Sequence, residues 1–248
     1  MLIFWYDIFM QNKSTLGVVL RQREYYARTA AKYDAMHVDH TDPHERALNA
    51  FVGLAETFGR VTSVLDVGAG TGRGMLKLIE KWKQADIVGI EPVGEPRKIG
   101  HAKGISSEKL IPGDAQNLSF NDNSFDWIIE TGVLHHVPSP LRAVAEMTRV
   151  AKTGIMISDS NNVGQGRAIN RNIKYALNVM GLWLALEWLK TKEKMYRYDE
   201  IDGVSYLFLV FSCISVIKRK FPNIYYMNTG EFVGYDYIAE PRTLWCSP

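Results

Sequence analysis

Apolar and polar positions along the chain repeat with two periods, one of strands and one of helices. Val64-Leu65-Asp66-Val67 is an apolar run interrupted by a single carboxylate, and Gly68, Gly70 and Gly72 follow at every second position. The run predicts a short buried strand, and the glycines predict a turn whose bare backbone a ligand can approach. Helical spacing begins at once in Met75-Leu76-Leu78-Ile79. Ile87-Val88-Gly89-Ile90 and Leu110-Ile111 read as a second and a third strand, and Pro140 to Ala151 has helical spacing again. Upstream, Tyr25 to Asp34 reads as helical, and Pro43 to Phe58 reads as a helix with proline at its start. Strand, glycine-rich turn and helix in succession are the layout of a nucleotide-type cofactor site at the carboxyl end of a first sheet strand.

The details of the turn narrow the ligand. The dinucleotide fingerprint G-x-G-x-x-G fails in both frames, because Arg73 or Met75 stands where the third glycine belongs. The phosphate-loop form fails as well, since no Lys-Ser/Thr follows the glycines. Glu91 closes the second apolar run 19 residues beyond Gly72, the distance at which an acid on strand two accepts from ribose hydroxyls. A ligand with ribose but without pyrophosphate fits, and S-adenosylmethionine is such a ligand. Taken singly, Glu91 before Pro92 also suits an exposed strand end.

At Leu65-Asp66-Val67-Gly68-Ala69-Gly70-Thr71-Gly72 and Gly89-Ile90-Glu91-Pro92 the chain resembles the class I S-adenosylmethionine-dependent methyltransferases. The likeness continues in order through Gly113-Asp114-Ala115-Gln116-Asn117-Leu118, Phe120 to Glu130, Thr131-Gly132-Val133-Leu134-His135-His136-Val137 and Gly154 to Asp159, covering roughly residues 60 to 160. It implies an α/β, Rossmann-like, doubly wound sheet of seven mostly parallel strands, the last antiparallel, with helices on both faces. It also implies an N-terminal helical lid, while the apolar stretch after strand five departs from the simplest version of the fold and is expected to be a helical insertion. The segments expected are a lid over 1–60, a cofactor-binding core over 61–160, an insertion over 161–202 and completion of the sheet over 203–248. By the same resemblance the donor is S-adenosyl-L-methionine and the product S-adenosyl-L-homocysteine. Tyr33, Asp66, Gly68, Ala69, Gly70, Gly72, Glu91, Pro92, Asp114, Ala115 and Glu130 are the expected cofactor residues. Asp114 is expected to accept from the adenine amino group, although an acid there also suits a helix N-cap. His136 and His135, after strand four, are candidates for a general base, His136 the more so.

Composition changes this picture little. A net charge of +2 is too small for a nucleic-acid footprint. Glu130-Thr131-Gly132-Val133 stands where nucleic-acid methyltransferases carry Asn/Asp-Pro-Pro-aromatic. Cys213 and Cys246 make neither a disulfide framework nor a zinc site. His37, His40 and His44 form a short tract that reads as a solvated loop, and no metal is expected. Met1 to Met10 lacks a basic leader, so the expected location is cytoplasmic, at most peripheral to a membrane.

Two strongly apolar stretches follow strand five. Val204 to Ile217 falls where the family places its helix before strand six, and Tyr235 to Trp245 where it places strand seven. Tyr175 to Leu189 is apolar almost all round and is followed by Lys190, Lys192 and Lys194. It reads as buried packing, as a cap over an apolar acceptor, or as a peripheral membrane contact through 175–194 with Trp183 and Trp188 at the interface. The expectation is therefore methyl transfer to the O, N or C of a small, partly apolar acceptor. The alternatives are a membrane-associated lipid or quinone methyltransferase and a non-catalytic cofactor- or partner-binding protein of the same fold. The oligomeric state is left open.

Overall fold

The structure, a computed structural model, describes residues 15–37, 42–159, 173–174, 176–177, 180, 182–191, 196–200, 203–206, 208, 210–227 and 243–247. Helix α1 (Thr15–His37) and helix α2 (Pro43–Leu54) precede the first strand. Asp42 caps α2 by accepting from the His44 amide at 2.9 Å, with Pro43 in the first helical position. The core then alternates: β1 (Ser63–Val67), α3 (Arg73–Lys81), β2 (Asp86–Ile90), α4 (Gly94–Ala102), β3 (Leu110–Ile111), β4 (Phe125–Thr131), α5 (Pro140–Val150) and β5 (Ala151–Ser158). The five strands pair in parallel in the order β3-β2-β1-β4-β5. Reversal of strand order at β1 and β4 opens a crevice at the carboxyl ends of the strands.

The sheet is covered on both faces, which is why its strands read as continuous apolar runs. Val64, Ile87, Trp127, Ile129 and Met156 pack on one side with Leu48 and Phe51 of α2 and Met75 and Leu78 of α3. Leu65, Val67, Val88, Ile128, Ile155 and Ile157 pack on the other with Leu141, Val144 and Met147 of α5. Phe51 and Trp127 meet edge to face at 5.3 Å, joining α2 to the sheet. Each such fully buried side chain contributes on the order of 1.5–3 kcal/mol.

After β5 come helix α6 (Trp183–Lys190), a hairpin of β6 (Tyr196–Asp199) and β7 (Gly203–Tyr206), a short helix α7 (Ile214–Ile217), and strands β8 (Asn223–Met227) and β9 (Thr243–Ser247). β9 pairs antiparallel with β5 and with β8. The hairpin pairs antiparallel on its own and spans the expected segment boundary at 202/203. The apolar stretch from Val204 is thus not helical at its start. Gly203 turns the chain at φ 75°, and Val204 and Tyr206 alternate inward against Val18 of α1, so a two-residue period wins locally. Among its remaining described residues, Phe208, Val210, Cys213 and Ile217 are buried. Most of Tyr235 to Trp245 lies outside the described residues.

Trp183 is buried, with Lys174 and Lys190 over its ring at 5.7 and 5.3 Å, which corrects its reading as an interfacial aromatic. Glu187, one turn on, is fully buried and pairs with Arg197 of the hairpin and with Lys190.

Candidate active site

The glycine turn is the floor of a cleft. Gly68 and Ala69 donate to the Ile90 carbonyl at 2.9 and 3.0 Å, and the chain then doubles back with Gly68, Gly70 and Gly72 at φ 76°, 53° and 76°. Such dihedrals suit glycine and strain other residues. A side chain at Gly68 would run into Val133, and one at Gly72 into Ile105. At Gly70, by contrast, an added Cβ would meet nothing within 4 Å, so bare backbone faces the open cleft.

Glu91, at the end of β2, accepts from the Gly70 amide at 3.2 Å and the Val93 amide at 2.8 Å. Burial raises its pKa above the ordinary value despite those two bonds. Asp66 is 3% exposed, and burial together with the Glu91 charge pushes its pKa to about 7. Asp114 lies in the turn after β3, where it accepts from the Gln116 amide at 2.9 Å, a loop contact and not a helix cap. Arg23 of α1 approaches the Asp114 carboxylate at 4.0 Å from across the cleft.

The cleft holds about 1000 Å³, space open to solvent included. Of the expected cofactor residues, Gly68, Gly70, Glu91, Pro92, Asp114 and Ala115 line it. Asp66, Ala69, Gly72 and Glu130 stand behind that lining, and the side chain of Tyr33 lies outside the described residues. Val19, Gln22, Arg23, Tyr26 and Ala30 form the opposite wall, one stripe of α1 at helical spacing. Tyr26 of this helix is on the wall and was not foreseen from the sequence, although its helical spacing with Val19, Gln22 and Ala30 was the signal available.

The two histidines part company. His135 is buried, and its Nδ1–H donates to Asp159 at 2.6 Å. Glu130, fully buried at the end of β4, accepts from the Val133 and Leu134 amides through Oε1. Its Oε2 has no hydrogen-bond partner among the described residues. Burial and the Asp159 charge raise Glu130 well above its ordinary pKa, while His135 outweighs burial at Asp159 and keeps that carboxylate ionised. His44, the last histidine of the tract, lies beneath with Nδ1 2.9 Å from the Ser158 hydroxyl and its ring against Gly132. His136 instead lines the cleft, 5.5 Å edge to face from Tyr26, with Nδ1 2.6 Å from the Val204 carbonyl and 3.0 Å from Gln22 Nε2. Asp159, Gln22 and the Val204 backbone were not foreseen from the sequence. They come from elements far apart in the chain.

Residues 65–157 match the family described as a methyltransferase domain. The chain carries a class I S-adenosylmethionine-dependent methyltransferase domain. A demethylmenaquinone methyltransferase of Listeria welshimeri is 29% identical over 160 residues, 60% of this chain and 68% of that one. A demethylmenaquinone methyltransferase of Staphylococcus aureus is 38% identical over 99 residues, 39% of this chain and 41% of that one. In fold, the domain is similar to the crystal structure of an S-adenosylmethionine-dependent methyltransferase of Thermotoga maritima, titled a possible histamine N-methyltransferase. That likeness has a TM-score of 0.54 at 18% identity, over 91% of this chain and 99% of that one.

S-adenosylmethionine is the cofactor of this methyltransferase domain. The residues present fit it. Gly70 leaves backbone open to a ligand, the Glu91 carboxylate suits ribose hydroxyls, and Asp114 suits an amino group.

Proposed function

We propose that this methyltransferase acts on a small, mostly apolar hydroxy-aromatic acceptor of the quinol type, at carbon or oxygen, with His136 taking the acceptor's proton. The observation that carries the reading is the composition of the cleft. Beside the charged Glu91, Asp114 and Arg23 and the polar Gln22, Thr71, Gln116, Thr131 and His136, its wall is apolar side chains and glycine, Val19, Tyr26, Ala30, Val133, Val137 and Pro138 among them. An apolar wall with few polar groups selects a flat apolar molecule and fixes it through one or two contacts. The relatives named for a quinone acceptor support the same class.

The cofactor, when bound, supplies an electrophilic methyl group and leaves as S-adenosylhomocysteine. The chain's own work is orientation and proton removal. The lid stripe and the glycine floor hold the acceptor in line, and well-oriented reactants gain up to ~7–11 kcal/mol from orientation. A histidine beside the acceptor hydroxyl adds roughly 10²–10⁴-fold by taking its proton. His136 suits that role because it faces the cleft, whereas His135 is already committed to Asp159. A panel of reduced naphthoquinone, catechol and a primary aromatic amine tests the class by release of S-adenosylhomocysteine. The quinol should be turned over fastest, and turnover of the amine alone would overturn the reading.

A second observation favours a lipid-soluble acceptor taken from a membrane surface. Ile173, Met180, Leu182 and Leu189 are 54%, 60%, 49% and 64% exposed in the insertion. Lys174, Lys190 and Arg197 cluster at its buried Glu187. Exposed apolar side chains rimmed by cations fit the interface of an anionic bilayer. No helix among the described residues is long and apolar enough to cross a membrane.

A further inference from the structure

The lid helix, the loop after β4 and the β6–β7 hairpin meet at Gln22. The residue is 6% exposed, and its Oε1 accepts from the Val204 amide. That contact fixes the carboxamide, because an amide turned the other way would set its NH₂ against the Val204 N–H. Gly203 makes the approach possible: at φ 75° it has no side chain, and any Cβ there would strike Gln22 Oε1. With the amide so fixed, Gln22 Nε2 faces His136 Nδ1 at 3.0 Å, while the Val204 carbonyl faces the same nitrogen at 2.6 Å.

Those two neighbours make opposite demands. Gln22 Nε2–H needs a lone pair on Nδ1, and the Val204 carbonyl needs a proton there. The shorter contact decides. Two lone pairs at 2.6 Å repel, whereas N–H···O at that distance is a short, strong hydrogen bond. Nδ1 therefore carries the proton, and in the neutral ring Nε2 is the basic nitrogen.

We propose that Gln22 and the β6–β7 hairpin form a positioning device for His136. The Val204 carbonyl selects the Nδ1–H tautomer, and Gln22 holds that carbonyl in register by binding the amide of the same residue. The hairpin stands outside the sheet yet orients a ring at its carboxyl end. Its packing on α1 through Val18, Val204 and Tyr206 ties the arrangement to the lid. Gln22 is a positioning residue here, acting on the acceptor's proton only through His136. The inference rests on the reading of His136 as the proton acceptor for its catalytic consequence, but not for the tautomer itself.

Histidine ¹⁵N NMR of the full chain tests it directly, with His136 assigned by loss of its signals in His136→Asn. The Nδ1–H tautomer is the expected result for the unaltered protein, and a dominant Nε2–H tautomer would overturn the proposal without any variant. Gln22→Leu should shift His136 toward mixed tautomers and lower kcat, by no more than the roughly 10²–10⁴-fold that a positioned general base contributes, with the KM for the donor little changed. Gln22→Glu, which still offers an acceptor to the Val204 amide, should restore tautomer and kcat together. An unchanged His136 tautomer in folded Gln22→Leu would refute the role of Gln22. A shifted tautomer with full kcat would support the positioning and refute His136 as the base.

Discussion

Asp66 is the carboxylate most exposed to test by proton linkage. It is 3% accessible, and burial with the nearby Glu91 charge raises its pKa from 3.8 to about 7. A carboxyl group with a raised folded-state pKa holds its proton longer in the folded chain than in the unfolded one. Its contribution to stability is thus full below the unfolded pKa and is lost as pH rises from about 4 to about 7. At 1.36 kcal/mol per pH unit, the part lost between pH 5 and pH 8 is roughly 2–3 kcal/mol. Asp66→Asn removes this linkage and leaves every other titrating group in place. Relative to the unaltered chain, the variant should therefore gain roughly 2–3 kcal/mol between pH 5 and pH 8. That corresponds to roughly 5–10 °C in Tm for a domain of this size. Thermal unfolding of both proteins at pH 5, 6.5 and 8 measures the gap. A gap that stays constant with pH would refute the assignment of a buried, proton-retaining Asp66.

Three further outcomes follow from the site. Glu91→Ala should weaken S-adenosylmethionine binding about 10- to 150-fold, from ~1.5–3 kcal/mol per hydrogen bond to a charged group, and unchanged calorimetric affinity in a folded variant would contradict the ribose role. Asp159→Asn breaks the buried pair with His135 and should cost ~3–5 kcal/mol in denaturant unfolding; a loss below about 1 kcal/mol would mean that the pair does not brace the loop under the cleft. Co-sedimentation with anionic vesicles should be salt-sensitive and should fall in Leu189→Asp/Lys190→Glu, while an absence of binding even at low salt removes the membrane reading.

What the sequence made legible is what local chemistry dictates. Strand β1, the glycine floor and Glu91 were readable because an apolar run, three alternating glycines and an acid at fixed spacing act within one strand-turn-helix unit. The five parallel strands followed from runs buried on both faces. The α1 wall was only half readable: polar Gln22 and Arg23 resemble any solvated helix face until the hairpin and Asp114 are placed opposite them. The start of the second apolar stretch was misread, since Val204 and Tyr206 suit helix or strand equally until Gly203 turns the chain onto Val18. The split between His135 and His136 needed Asp159 and Val204, 24 and 68 residues away. No local pattern encodes such pairings.

Methyl transfer to a small apolar acceptor in the cleft between the glycine floor and the α1 stripe is open to direct measurement. Incubating the protein with deuterated-methyl S-adenosylmethionine and a fractionated cell extract, followed by mass spectrometry, tests it most directly. A labelled product is expected in the lipid-soluble, quinone-containing fraction. Label confined to water-soluble amines or to RNA, or no label although the donor binds, would contradict it.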